Sequence, residues 1–215
     1  MAAPKYSIAS VSEPDLPFLA NFIHAAKLSL SINRLIFKDW PNEALQKQMY
    51  SEAVQDGYSN PSMECFKAVD VDSNEIVGYF VLARKRPVKE SLIDSGSEGE
   101  AIPDGFNLGL FREMTDATIQ IAKQTDAIDR FEIVYMCVKP SYQCKGIGSK
   151  LVQLGFDRAR AEGIPFAVCA EAPAHEFFIK LGFKDTTHYD IDLRKYAPAY
   201  SGFGIFRLSG MMWRP

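Results

Sequence analysis

The chain has 215 residues, 47% of them hydrophobic and 12% aromatic, which suits one domain with a sizeable core and excludes a disordered polymer. A net charge of -3 gives no electrostatic footprint for nucleic acid, so no such partner is expected. No apolar run reaches membrane-spanning length, and MAAPKYSIAS lacks a basic start followed by an apolar core, so no membrane association is expected. The expected compartment is cytoplasmic, with a nuclear pool left open. Cys65, Cys137, Cys144 and Cys169 stand singly, and with three scattered histidines they offer no zinc spacing. No metal is expected. Three of the four cysteines fall in or beside predicted strands, which predicts buried free thiols.

Tyr6 to Val11 alternates as a first strand. Ser12-Glu13-Pro14-Asp15 has the features of a helix start, and Leu16, Leu19, Phe22, Ile23 and Ala26 follow at helical spacing. A second helix is predicted over Asn42 to Gln55, with Gly57 as its stop. Residues 64–71 and 75–84 are rich in Val, Ile, Tyr and Phe, and Asp72-Ser73-Asn74 between them makes a hairpin. From Pro87 to Gly105 the composition turns to Ser, Gly, Glu and Pro, a loop. Leu108, Phe111, Met114, Thr118, Ile121 and Ala122 then form an amphipathic helix. Segment 86–129 reads as a loop-helix insertion within a single domain spanning 1–215. Residues 184–192 and 202–212 read as two closing antiparallel strands around a turn at Tyr196 to Pro198.

The most informative stretch is FEIVYMCVKPSYQCKGIG, from Phe131 to Gly148. A β-rich run breaks at Pro140 and delivers Gln143-x-x-Gly146-x-Gly148 into a helix-forming segment. The first amides of a helix lack intrahelical partners, and the aligned peptide dipoles add partial positive charge. Such a loop cradles phosphate or pyrophosphate, and glycine removes the Cβ from the ligand's path. A Walker-type loop is absent, because Lys145 precedes Gly146 rather than following a second glycine. A dinucleotide fingerprint lacks its third glycine, where Leu151 stands, although Glu171 falls roughly where a ribose-binding acid would.

Gln-x-x-Gly-x-Gly after a strand resembles the acyl-CoA pyrophosphate loop of the GCN5-related N-acetyltransferases, the GNAT family. Its flanks carry the same resemblance: VYMCVKPSYQCKGIGSKLVQLGFDRARAEG reads as strand, loop and long helix, IPFAVCA as the next strand, and APAHEFFIKLGFKD as the following helix and its exit. The resemblance implies an α/β (α+β) fold with a central, mixed, mostly antiparallel sheet flanked by helices. It implies an acetyl-CoA-dependent N-acetyltransferase passing acetyl directly to a primary amine, that of a small molecule before that of a protein or histone lysine. A non-catalytic acyl-CoA-binding module is the other reading. By resemblance Cys137 and Val138 face the pantetheine and acyl arm, and the amides of Gln143, Cys144, Lys145, Gly146, Ile147, Gly148 and Ser149 meet the pyrophosphate. Lys145 can add a charge-assisted contact.

An alkylammonium with a pKa of ~10.4 must lose a proton before it attacks a thioester, and a positioned carboxylate is worth ~10²–10⁴ in rate. Glu132 opens the fourth strand eleven positions before Gln143, in a Glu-Ile-Val-aromatic context similar to that of the family's histone-modifying branch. It is the candidate base, with an ion pair to Arg130 as its structural alternative. Many family members carry a tyrosine that protonates the departing thiolate. Laying the pattern on Ala174 to Phe183 places Phe178 there, where a ring can pack against the coenzyme arm but donate nothing. Tyr189 is the strand hydroxyl taken as the candidate acid, with Tyr135, His175 and His188 as further candidates.

Overall fold

The computed structural model describes residues 5–87 and 104–215. Residues 88–103, most of the segment read as a loop, lie outside the described residues. Seven strands form one sheet in the order β1-β2-β3-β4-β5-β7-β6. They are β1 (Tyr6–Ser10), β2 (Met63–Asp70), β3 (Ile76–Lys85), β4 (Arg130–Val138), β5 (Phe166–Glu171), β6 (Lys184–Asp192) and β7 (Ile205–Trp213). Neighbours pair antiparallel except β4 and β5, which run parallel. The helices are α1 (Leu16–Lys27), α2 (Asn33–Ile36), α3 (Glu43–Ser59), α4 (Leu108–Lys123), α5 (Ile147–Glu162) and α6 (His175–Lys180). Among the described residues no helix is long and apolar enough to cross a membrane.

Local chemistry explains several boundaries. Asp15 accepts from the Ser12 amide at 2.8 Å and from its hydroxyl at 2.7 Å, closing the turn that feeds α1. Asn42 and Asn107 each accept from an amide in the first turn of α3 and α4, at 3.4 Å in both cases. Helix α3 runs through Gly57, the expected stop, and ends at Ser59. Gly57 is buried against β3, where a Cβ would stand 3.8 Å from the Tyr79 hydroxyl oxygen. That is ordinary van der Waals contact, so the glycine neither ends the helix nor is required by its packing. The short α2 had no counterpart in the periodicity.

Helices cover both faces of the sheet, so the central β3 is apolar almost throughout. Its residues divide by alternation. Phe80 and Leu82 join the core under α5 and α6, whereas Tyr79 and Val81 join the core under α1 and α3. A third cluster fills the space between α2, α4, β6 and β7. Helix α5 presents Ile147, Leu151, Val152, Gly155, Phe156 and Ala159 to the sheet. At Gly155 the fully buried Phe166 ring lies so close that a Cβ would sit 2.1 Å from its Cζ. The expectation of buried thiols is corrected: Cys65 and Cys137 are half-buried, and Cys144 and Cys169 are exposed. Cys144 stands on the loop before α5, and Cys169 on the unroofed end of β5.

Candidate active site

Strand β4 stays paired to β3 along its whole length, but its parallel ladder with β5 covers only Phe131, Glu132 and Ile133. Directly afterwards β4 carries one extra residue, Val134, between the pairs Leu82–Ile133 and Val81–Tyr135. The bulge shifts the alternation by one. Met136 and Val138 therefore continue the α5 face begun by Phe131 and Ile133, and Tyr135 and Cys137 turn to the α1 face. Strand β5 keeps its partner β7 through Glu171. Beyond Ile133 and Val168 the two parallel strands part, leaving an opening through the middle of the sheet.

The loop after β4 lies at this opening. Gln143 Nε2 donates to the Val138 carbonyl at 3.2 Å, tying the loop back to the strand end. Cys144 has a φ of 58° and Gly146 one of 81°, the left-handed conformations that curl successive amides toward one side. None of the six amides from Cys144 to Ser149 has a partner among the described residues; Lys150 N is the first to be taken, by Gly146 O at 3.1 Å. A Cβ on Gly148 would stand 3.0 Å from Met136 Cε and 3.3 Å from Phe177 Cζ, so a side chain here requires both neighbours to give way by a few tenths of an ångström. Lys145 Nζ lies 4.5 Å from the Tyr142 ring centroid and has no carboxylate partner among the described residues, whereas Lys139 pairs with Glu75.

The other side of the opening is built from side chains. Glu132 Oε2 accepts from Arg130 Nη2 at 2.6 Å and Nε at 3.0 Å, while Arg130 Nη1 donates to the Thr125 carbonyl at 2.8 Å. Arg130 is 3% exposed, so Glu132 supplies the counter-charge a buried guanidinium requires. Further along, Lys27 Nζ at the end of α1 donates to Glu171 Oε1 at 2.6 Å and lies 5.4 Å from the Tyr135 ring centroid. Burial pushes the Tyr135 phenol far above its ordinary range and the Tyr50 phenol up to about 12. Burial also raises the Cys137 thiol to about 12. On β5 the Cys169 thiol, although the residue reaches solvent, is crowded enough for desolvation to raise it to about 11, with the charges of Glu132 and Glu171 adding to the shift. Both thiols stay protonated at neutral pH and are poor nucleophiles.

The model of the Acetyltransferase (GNAT) family matches residues 30–183. The chain belongs to the GNAT acetyltransferase family. As a GNAT chain it is an acyltransferase of the N-acetyltransferase type. It is similar in structure to arylalkylamine N-acetyltransferase 2 of Aedes aegypti, at 15% identity and a TM-score of 0.67, covering 98% of this chain and 99% of that one. It is also similar to a Corynebacterium glutamicum protein described as histone acetyltransferase HPA2 and related acetyltransferase, at 17% identity and a TM-score of 0.62, covering 99% and 97%. A third relative is the ribosomal-protein-S18-alanine N-acetyltransferase of Escherichia coli, at 13% identity and a TM-score of 0.51, covering 97% and 93%. These likenesses bear out the mixed sheet flanked by helices. No curated protein sequence matches the chain.

Within this GNAT fold, Cys137 and Val138 end β4 and residues 143–149 lead into α5, but the Gln143 amide, expected to face the pyrophosphate, is already bonded to the Pro140 carbonyl at 3.2 Å. Ala174 is half-buried beside the core under α5 and α6. Phe178 is corrected: it is 3% exposed and stacks edge-on with Phe183 inside that core. Its neighbour Phe177, about 100° round the helix, is the ring that meets the start of α5 at Gly148. Tyr189 pairs with Leu208, which pairs with Glu171, so Tyr189 stands two strands from Glu171 on the same face. There it packs into the cluster against α4, and nothing brings its hydroxyl into the opening. The sequence reading missed Lys27 as Glu171's partner. The two are 144 positions apart, and neither lies in a motif that announces the other.

Proposed function

We propose that the chain binds acetyl-CoA at the opening between β4 and β5 and transfers the acetyl group to the primary amine of a small molecule. The observation that carries this reading is the run of six unpartnered amides, Cys144 to Ser149, at the start of α5 beside parted strands. A diphosphate satisfies such donors at a helix start and adds favourable interaction with the dipole. The side-chain-free approach at Gly148 and the left-handed Gly146 fit a ligand that lies against main chain. Cys137 and Val138 would flank the coenzyme arm, Lys145 a phosphate, and Ala174 the far wall. The coenzyme supplies an acetyl thioester as electrophile.

Glu132 is the proposed proton acceptor for the incoming amine. One of its oxygens is committed to Arg130, which holds the carboxylate in place, and the other has no partner among the described residues. The acceptor side favours a small amine because its groups are half-buried: Lys27 at 20%, Glu171 at 35% and Glu132 at 25% side-chain exposure. A protein lysine is the second reading, favoured by Glu132 in its Glu-Ile-Val-aromatic setting.

Calorimetry with acetyl-CoA, followed by release of coenzyme thiol across arylalkylamines, polyamines and lysine peptides, tests the proposal. Tight binding and turnover of small amines are expected. Preferential turnover of peptides transfers the assignment to the protein-lysine reading, and binding without any turnover leaves a coenzyme-binding module.

A further inference from the structure

At the opening the chain already holds what an acceptor has to bring. Lys27 is a primary amine at the C-terminal end of α1, and its Nζ touches Glu171 on the β5 lip at 2.6 Å. The same Nζ lies over the Tyr135 ring on the β4 lip, 5.4 Å from its centroid. Because β4 and β5 last pair at Ile133 and Val168, these two contacts span the gap between the parted strands. A carboxylate plus an aromatic face is a seat for an ammonium group. The end of α1 is pinned in register with it, since the Lys27 carbonyl accepts from Asn33 Nδ2 at 2.9 Å and from Leu30 N at 3.1 Å. Among the described residues the other lysine ion pairs sit elsewhere: Lys47 with Glu43 on α3, Lys67 of β2 with Asp15 before α1, Lys139 with Glu75 and Lys195 with Glu113.

We propose that Lys27 is a site of self-acetylation, with Glu171 as the group that takes its proton. The inference rests on the acetyl-CoA reading given above, which puts the thioester arm in this gap. The ammonium of Lys27 gives one proton to Glu171, which passes it to solvent. The freed nitrogen pair then forms the C–N bond to the thioester carbonyl carbon. The C–S bond breaks, and the sulfur leaves as a thiolate that takes the second proton from nitrogen. The products are an amide on Lys27 and free coenzyme A, with one net proton released. The amide carries no charge, so Glu171 loses its partner and the link between the two lips is undone.

The purified full chain, incubated with acetyl-CoA and no added amine, should gain a single acetyl group, mapped by peptide mass spectrometry to Lys27. Its rate should be unchanged on dilution of the protein, because donor and acceptor sit in one molecule. Lys27→Arg should abolish it. Glu171→Gln should slow it by roughly 100-fold or more while calorimetry shows unchanged acetyl-CoA affinity. The coenzyme-free reagent N-acetylimidazole should instead label exposed lysines with no preference for Lys27. Tight acetyl-CoA binding with an unmodified Lys27 overturns the inference and leaves the acetyltransferase reading standing. A rate that falls on dilution, or the same selectivity with N-acetylimidazole, overturns transfer within the site. Failure to bind acetyl-CoA at all overturns the proposed function, and this inference with it.

Discussion

On one side of the opening the groups that face a ligand are main-chain amides at the start of α5; on the other they are side chains carried by α1, β4 and β5. The amide side is contiguous, six residues from Cys144 to Ser149, and its geometry follows from two left-handed residues and a glycine packed closely on Met136 and Phe177. The side-chain side is assembled from segments far apart in the chain. Its charges occur in pairs, Arg130 with Glu132 and Lys27 with Glu171, so that each half-buried carboxylate is held by a cation from its own neighbourhood. The cradle therefore depends on main-chain conformation, whereas the floor depends on which side chains the fold brings together.

Glu132→Gln breaks the comparison on its side-chain half, and the largest effect is expected there. If the carboxylate accepts the amine's proton, kcat should drop by ~10²–10⁴ with acetyl-CoA affinity intact. The Arg130 guanidinium keeps a hydrogen-bond acceptor in the glutamine but loses its counter-charge, so thermal stability should fall as well. A loss of stability with kcat within a few-fold of wild type would make Glu132 a counter-ion and nothing more. Gly148→Val addresses the amide half. Its side chain meets Met136 and Phe177 and pushes the helix start off β4. Acetyl-CoA affinity should weaken by roughly 100-fold, equivalent to about 2.7 kcal/mol, and a change below threefold would sever the cradle from the coenzyme.

What could be read in advance follows the same division. The strands around β3, the hairpin at Asp72 to Asn74 and the helix from Ile147 are local patterns, and they stand where periodicity and turn residues put them. The pyrophosphate loop was legible because its function is written in consecutive residues. The bulge at Val134 was not, since a register shift is a property of two strands at once. Phe178 was misplaced for a related reason: a motif aligned by its Gly-Phe exit fixes position along the helix, while one step along the helix turns a ring from coenzyme wall to core. The Lys27–Glu171 pair depends on α1 crossing over the sheet, which no short-range signal encodes.

Gly155→Ala sharpens the comparison in the core that both halves share. The added methyl collides with the Phe166 ring, which is boxed in by Phe156 at 5.5 Å and Phe183 at 5.3 Å between centroids. Overpacking of this kind costs about 1–3 kcal/mol. Denaturant unfolding should show that loss, against the small helix-propensity gain Ala brings at an exposed site. An unchanged midpoint would mean that α5 can lift from β5 freely, and a cradle on so loose a helix would not be pre-set.

His24 offers the smallest and most specific probe, because it lies one turn before Lys27 on α1. It is 6% exposed, its Nε2 is buried without a partner among the described residues, and its ring lies 6.4 Å from that of Tyr50. Desolvation lowers its pKa from the ordinary histidine value, with Glu43 opposing the shift and Lys47 adding to it. In the folded state the ring is neutral where the unfolded chain would already bind a proton. The stability this contributes is complete above the unfolded value of about 6.5 and drains away as pH falls below it toward the lower folded value. The slope is at most ~1.4 kcal/mol per pH unit within that window. His24→Leu should flatten the melting profile between roughly pH 7.5 and 5.5 relative to wild type, while the carboxylates still hold their charge. Equal slopes in the two proteins would place the packing of α1 on α3 outside the control of this ring.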